Sequence, residues 1–365
     1  MSKRRANGEG SIYRHGELWC GEIILEGKRK SVYAKSQADT RKKLDELKKK
    51  TLEEKDTGTS RQLLSVYLEA WLEDDVKPTV RVATHRMYRT MMRKHIIPAI
   101  GSVALCDLTS QHVQGTLGDL ERAGKKPRLR QIIHAVLSRS LRRAVELDVI
   151  AKNPCDRAKR PIAPKPQIHA MTNDQRAAFL RAARIDRLFA LYHVALATGL
   201  RQGELLALTW ADVDLKRRRV AVRYTLTVDD KGALTRTDTK TGKGRVVELP
   251  TESIIALKKH HAKLLADGLR AAPWVFPDTE GNALRKSNLV RRSFNPLLEA
   301  AGLPHFRFHD LRHSYASLAL SAGVHPKVVQ EMLGHSSIKM TLDTYSHLMP
   351  SMQREAADLI GKLLG

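Results

Sequence analysis

Six side chains in the C-terminal half of the chain are of types that together could grip and attack a phosphodiester: Arg201, Lys240, His309, Arg312, His335 and Tyr345. They lie in five short segments. In Ala197–Leu205 (ATGLRQGEL), Gly199 should break one helix and a new one should start beside Arg201. An arginine at a helix start can present its planar fork to a phosphate alongside free backbone N–H groups. Glu204, one turn on, could hold that guanidinium; a plain surface Arg–Glu pair is the alternative. In Thr239–Arg245 (TKTGKGR) the sequence reads as a β-hairpin turn with Lys240 at the end of the incoming strand. There it either reaches a leaving oxygen or is merely solvated, and Lys243 and Arg245 are candidate DNA contacts. His309 and Arg312 stand three apart at a helix start, so they share a face and could offer an imidazole and a second guanidinium to one anion; His313 beside them is a supporting candidate. In Leu333-Gly334-His335 a glycine ends a helix, and His335 either caps it or reaches the phosphate.

Tyr345 follows ten residues beyond His335. Its hydroxyl, with an ordinary pKa of about 10, needs help to lose its proton, and His309 is a candidate base. Tyr315 is the competing nucleophile, but its place in the helix begun by His309 and Arg312 marks it as packed. Tyr192 on an apolar helix and Tyr224 in a strand read as core. No carboxylate cluster calls for Mg²⁺ and no Walker loop is present, so neither a metal nor a cofactor is expected.

The elements that must position these groups are mostly helices. Residues 10–34 alternate as short strands around the turn Glu26-Gly27-Lys28, and Ser36 with Asp39 resembles a capping box for a very basic helix over 37–54. Over 60–150, Leu64, Tyr67, Leu68, Trp71 and Leu72 form one helical stripe, and Tyr88, Met91, Met92, His95 and Ile96 another. A third helix should start near Ser110. A fourth carries Leu129, Ile133, Leu137 and Leu141, with Arg139, Arg142 and Arg143 off the stripe, toward solvent or DNA. Four prolines among basic residues over 152–170, including Lys159 and Arg160, read as a linker running along phosphates. Thr172 with Gln175 caps the first helix of the last unit, which holds a strand-rich island from about Arg218 to Leu249.

The expected organisation is therefore 1–57, a small sheet with one helix; 58–152, helical; 153–170, linker; and 171–365, mixed α/β, with a tail at 351–365. The chain of 365 residues carries 64 Lys and Arg against 39 Asp and Glu, a net charge of +25, and the excess runs through residues 1–55, 60–165 and 166–365 alike. A polyanion touched by several domains fits that spread better than a solvated basic tail. Three scattered cysteines argue against a disulfide framework or zinc site. The absence of a long apolar run excludes a membrane span, so an intracellular, cytoplasmic protein is expected.

The R…K…HxxR…H…Y series, with ATGLRQGEL, KTGKGR, HDLRHSYAS, LGH and the final tyrosine in that order, resembles the tyrosine recombinase (phage integrase) family. The resemblance implies a mainly α fold with small β-sheets in three domains: an N-terminal arm-type or AP2-like DNA-binding domain, a helical core-binding (SAM-like) domain and a mixed α/β catalytic domain. It implies cleavage and rejoining of double-stranded DNA attachment sites through a covalent 3′-phosphotyrosine, integrating or excising a mobile element in a bacterial host. Arg201 and Arg312 would clamp the nonbridging oxygens, His335 would hydrogen-bond the phosphate, and Lys240 would protonate the departing 5′ oxygen. The expected assembly is a homo-tetramer on DNA whose tail docks onto a neighbouring protomer, with docking onto its own catalytic domain as the alternative. An accessory directionality or DNA-bending factor is a further expected partner. A type IB topoisomerase and a recombinase-derived DNA-binding regulator are the alternatives. The first lacks a use for the N-terminal domain and tail; the second has no use for Lys240 and Tyr345 together.

Overall fold

The computed structural model describes residues 11–25, 28–55, 61–164, 169–239, 242, 244–269, 272–345 and 351–364. The chain is mainly α with small β-sheets and divides into two units, Met1–Pro164 and Lys165–Gly365.

In the first unit, strands Ser11–His15, Leu18–Leu25 and Lys28–Ala34 form an antiparallel sheet in sequence order. The helix Gln37–Lys55 lies against it. Ser36 caps that helix, accepting from the Asp39 N–H at 3.1 Å. The buried Thr40 ties helix to sheet by donating to the Trp19 carbonyl. The helical part follows the expected stripes: Leu64, Leu68, Leu72, Met92, Ile96, Ile133, Leu137 and Leu141 are buried in one core. What the plain helical period did not convey is that two helices widen into π turns, Leu72–Val76 after Leu64–Trp71 and Met92–Ile96 after Val82–Met91.

The linker expected over 153–170 is shorter than its prolines suggested. Asn153 donates to the Ser138 carbonyl and accepts from the Cys155 N–H, both at 3.0 Å. Pro154–Arg157 forms a 3₁₀ turn, and Cys155 and Ala158 are buried in the helical core. Gln131 then donates to the Pro161 carbonyl and the Lys159 N–H donates to Gln114. Two small apolar anchors and a satisfied backbone fold this stretch onto the helices, where proline content alone read as free chain. Residues 165–168 lie outside the described residues.

The second unit is built on helices Asn173–Ala183, Phe189–Thr198 and Thr251–Ala266 around a core with Phe179, Tyr192, Phe294 and Phe308. Its strands correct the hairpin reading. Leu234–Asp238 pairs with Tyr224–Val228, whereas Arg245–Glu248 pairs with Arg219–Val222, with Val222 opposite Arg245. The two strands flanking Lys240 thus belong to different sheets. The reason is a complete hairpin, turning at Asp229–Gly232, inserted between Val222 and Arg245, which leaves the outer strands to pair with each other. Among the described residues no helix is long and apolar enough to cross a membrane.

Candidate active site

The helix Pro326–Leu333 ends in Gly334, whose φ of +65° is open to glycine at little cost. The last carbonyls of a helix lack intrahelical donors and carry the negative end of its dipole. Here three guanidiniums take three successive ones. Arg245 donates to the Met332 carbonyl at 2.9 Å, Arg312 to Leu333 at 2.8 Å and Arg201 to Gly334 at 3.2 Å. Arg312, 3% exposed, also donates to the Gly199 carbonyl at 2.8 Å, at the αL end of the helix Phe189–Thr198. Gly199 has φ +64°, and a Cβ there would sit 2.5 Å from the Tyr315 ring.

Beneath this fan lies Glu204, 2% exposed. It binds Arg201 at 2.8 Å and Arg245 at 2.7 Å, and accepts from the Arg201 N–H as the N3 residue of helix Gln202–Leu206. Burial by itself would raise the Glu204 pKa; the hydrogen bond and charge of Arg245, with Arg201, hold the carboxyl below its ordinary value. Arg201 remains one-third exposed, the open jaw of the pair.

His309 immediately precedes the helix Asp310–Ser321, makes no side-chain cap bond to it and stands exposed at the rim. Its ring meets that of His313, and its pKa falls to about 4, by desolvation first and then by His313, Arg312 and Arg201. His335 falls to about 4 for the same leading reason, with Arg312 and Arg201 adding to it; its Nδ1 meets the Thr341 hydroxyl at 2.9 Å. Both rings are therefore neutral near pH 7.

Tyr345 ends the helix Ile338–Tyr345 and is 1% exposed. Its hydroxyl pairs with His313 Nδ1 at 2.6 Å. The ring of His313 meets that of His309 edge-on at 5.0 Å between centroids. Burial pushes the Tyr345 hydroxyl up to about 12, opposed by the charge of Arg312. Tyr315, the competing nucleophile, is also buried, but its hydroxyl is turned to the Met332 thioether at 2.9 Å.

Arg201, Glu204, His309, Arg312, His313, His335 and Tyr345 are thus brought together in one unit, while Lys240 and Lys243 lie outside the described residues. Residues 169–352 match the phage integrase family, and residues 63–120 match the phage integrase N-terminal SAM-like domain. The chain belongs to the phage integrase family of tyrosine recombinases. Similar relatives include a protein named tyrosine recombinase XerC-like from Caldanaerobacter subterraneus, 27% identical over 92% of each chain. The ICEBs1 integrase of Bacillus subtilis is also 27% identical, over 90% of this chain and 91% of its own. Among solved structures, the Tn1549 transposon integrase in complex with a circular intermediate DNA overlays with a TM-score of 0.71 at 20% identity, covering 81% of this chain and 99% of that one. The lambda integrase tetramer bound to a Holliday junction overlays at 0.58 with 19% identity, over 92% and 97%.

In this integrase-family enzyme, two of the basic residues expected at DNA are already paired within the protein. Arg245, expected at DNA, is half-buried and committed to Glu204 and Met332. The signal was present in Glu204: an acid within Gly-Glu-Leu-Leu, in a helix too apolar to leave it solvated, needs more than one cation. Arg143, likewise expected at DNA, is tied to Asp75 at 2.8 Å and to Glu146. Arg139 lies over the Tyr88 ring and donates to its hydroxyl. Arg142, Lys159 and Arg160 are exposed, and Arg139, Arg142 and Arg160 line a cleft of about 660 Å³ on the helical unit with His134.

Proposed function

We propose that this chain is a site-specific integrase that cleaves and rejoins double-stranded DNA attachment sites through a covalent 3′-phosphotyrosine, integrating or excising a mobile element. The observation that carries the reading is the pairing of Tyr345 with His313 inside the same cluster as Arg312, Arg201 and two neutral histidines. Attack of the Tyr345 oxygen on phosphorus builds charge on the nonbridging oxygens. Arg312 spends two of its five donors on backbone carbonyls, and the remaining N–H groups, with the open jaw of Arg201, are the groups to receive that charge. The neutral His335 can donate to the same phosphate without adding a like charge beside the arginines. Lys240 is assigned the proton for the departing 5′ oxygen. The phosphotyrosine conserves the energy of the broken bond, so rejoining needs no nucleotide.

The relative named ICEBs1 integrase, and the fold shared with the Tn1549 transposon integrase, support the mobile-element reading. The neighbour solved as a tetramer on a Holliday junction supports a homo-tetramer on two DNA sites. The test is recombination between two plasmid-borne copies of the junction sequences that flank the coding element. Recombinant product in EDTA without ATP is expected. Strand relaxation with no product, or no reaction, contradicts the proposal.

A further inference from the structure

His313 is not one of the six groups needed for the R…K…HxxR…H…Y series, yet it is the side chain that meets the nucleophile. Its Nδ1 stands 2.6 Å from the Tyr345 hydroxyl, a strong O–H···N distance, with Tyr345 buried and His313 half-buried. His309, the residue that motif order offered as base, meets the edge of the His313 ring instead. We propose that His313 is a catalytic residue, the general base that takes the Tyr345 proton during cleavage and returns it during rejoining. The inference rests on Tyr345 being the nucleophile.

The step balances. In the Nε2–H tautomer, His313 Nδ1 accepts the phenolic O–H. As the Tyr345 oxygen bonds to phosphorus, that proton moves to Nδ1, the P–O5′ bond breaks and its electron pair leaves with O5′, which is protonated by Lys240. In rejoining, the 5′ hydroxyl attacks phosphorus and returns its proton to Lys240, the P–O bond to Tyr345 breaks and the imidazolium returns its proton to the leaving phenolate. A hydroxyl pushed up to about 12 would otherwise have to ionise unaided in a buried site.

The surroundings divide the two histidines. Around His313 stand Asp310, Arg307, Arg312 and His309 from its own stretch, Tyr345 from the facing helix, and His335. Desolvation lowers the His313 pKa, so the ring is free to accept at neutral pH, and Asp310 is the first charge to act on it, in favour of the imidazolium. Around His309 the leading charges are His313, Arg312 and Arg201, all opposed to a proton there.

The experiment measures single-turnover adduct formation by the full chain on a nicked suicide duplex carrying the junction core sequence. The pH is varied from about 5 to 9, with a band shift confirming that each variant binds. His313→Asn keeps a hydrogen-bonding atom near Nδ1 but cannot titrate. It should be slower by about 10²-fold or more and lose the rise in rate with pH, and imidazole should partly restore His313→Ala. His309→Asn should keep the pH rise. The proposal is overturned if His313→Asn stays within about tenfold of the parent rate, if it retains the pH rise, or if His309→Asn is the variant that loses it. Absence of any adduct in the parent, or an adduct in Tyr345→Phe, would instead remove the reading beneath it.

Discussion

At the scale of the residue, two arginines do different work. Arg312 is buried and satisfies two carbonyls; Arg201 is partly open and leans on Glu204. Each alanine variant should slow cleavage by about 10²–10³. Arg312→Ala should also unfold more easily than the parent, by about 1–3 kcal/mol, because the Gly199 and Leu333 carbonyls lose their donor. Urea melts alongside cleavage rates check this, and equal stabilities would contradict the structural half of the Arg312 role. That the two arginines share a site was legible only from the order of the R…K…HxxR…H…Y series, because Arg201 taken alone reads equally as a surface partner of Glu204. Arg245 was not. A basic residue after a Lys-Thr-Gly-Lys turn looks solvated in sequence, and only the pairing of its strand with Arg219–Val222 carries it to Glu204.

At the scale of the element, helix ends place the chemistry. Gly199 and Gly334 were legible as helix breaks, and both stand in the αL region. The structure adds that Gly199 has no room for a side chain, while Gly323, also at positive φ, faces open space. Both alanine variants bear backbone strain of about 1–2 kcal/mol. Gly199→Ala should lose clearly more stability, because Tyr315 and Leu333 must also move. Equal losses in paired melts would show that this contact yields freely. The strand topology around residue 240 and the packing of residues 153–161 were not legible, since both depend on long-range partners that no local pattern names. The last helix, Ser351–Leu364, leaves Ile360, Leu363 and Leu364 exposed. A helix this short needs a packing surface to persist. A chain ending at Pro350 should still bind a single core site yet lose cooperative assembly in native gels, and unchanged higher-order complexes would contradict docking in trans.

At the scale of the whole molecule, the catalytic unit holds several histidines neutral. His309 and His335 sit at about 4, and His193, His260 and His313 are also lowered, each by desolvation first. The unfolded chain, with ordinary values near 6.5, binds protons first as pH falls. Stability should therefore decline from about pH 6.5 toward pH 4. Glu204, Asp212 and Asp310, all held below their ordinary values, deepen the loss at the acid end. Because several of these rings are partly exposed, a combined loss of about 1 kcal/mol or more between pH 7.5 and 5 is expected. Urea melts at the two pH values measure it, and constant or rising stability toward pH 5 would contradict the sign. The net charge of +25 matches a polyanionic partner, but charge does not distinguish a strand-transfer enzyme from a binder. The covalent bond does. The full chain, trapped on a nicked suicide duplex carrying the junction core and digested, should yield one nucleotide-linked peptide with the phosphate on Tyr345, absent from Tyr345→Phe. An adduct on Tyr315 or on any other residue, or one that survives in Tyr345→Phe, would contradict the account.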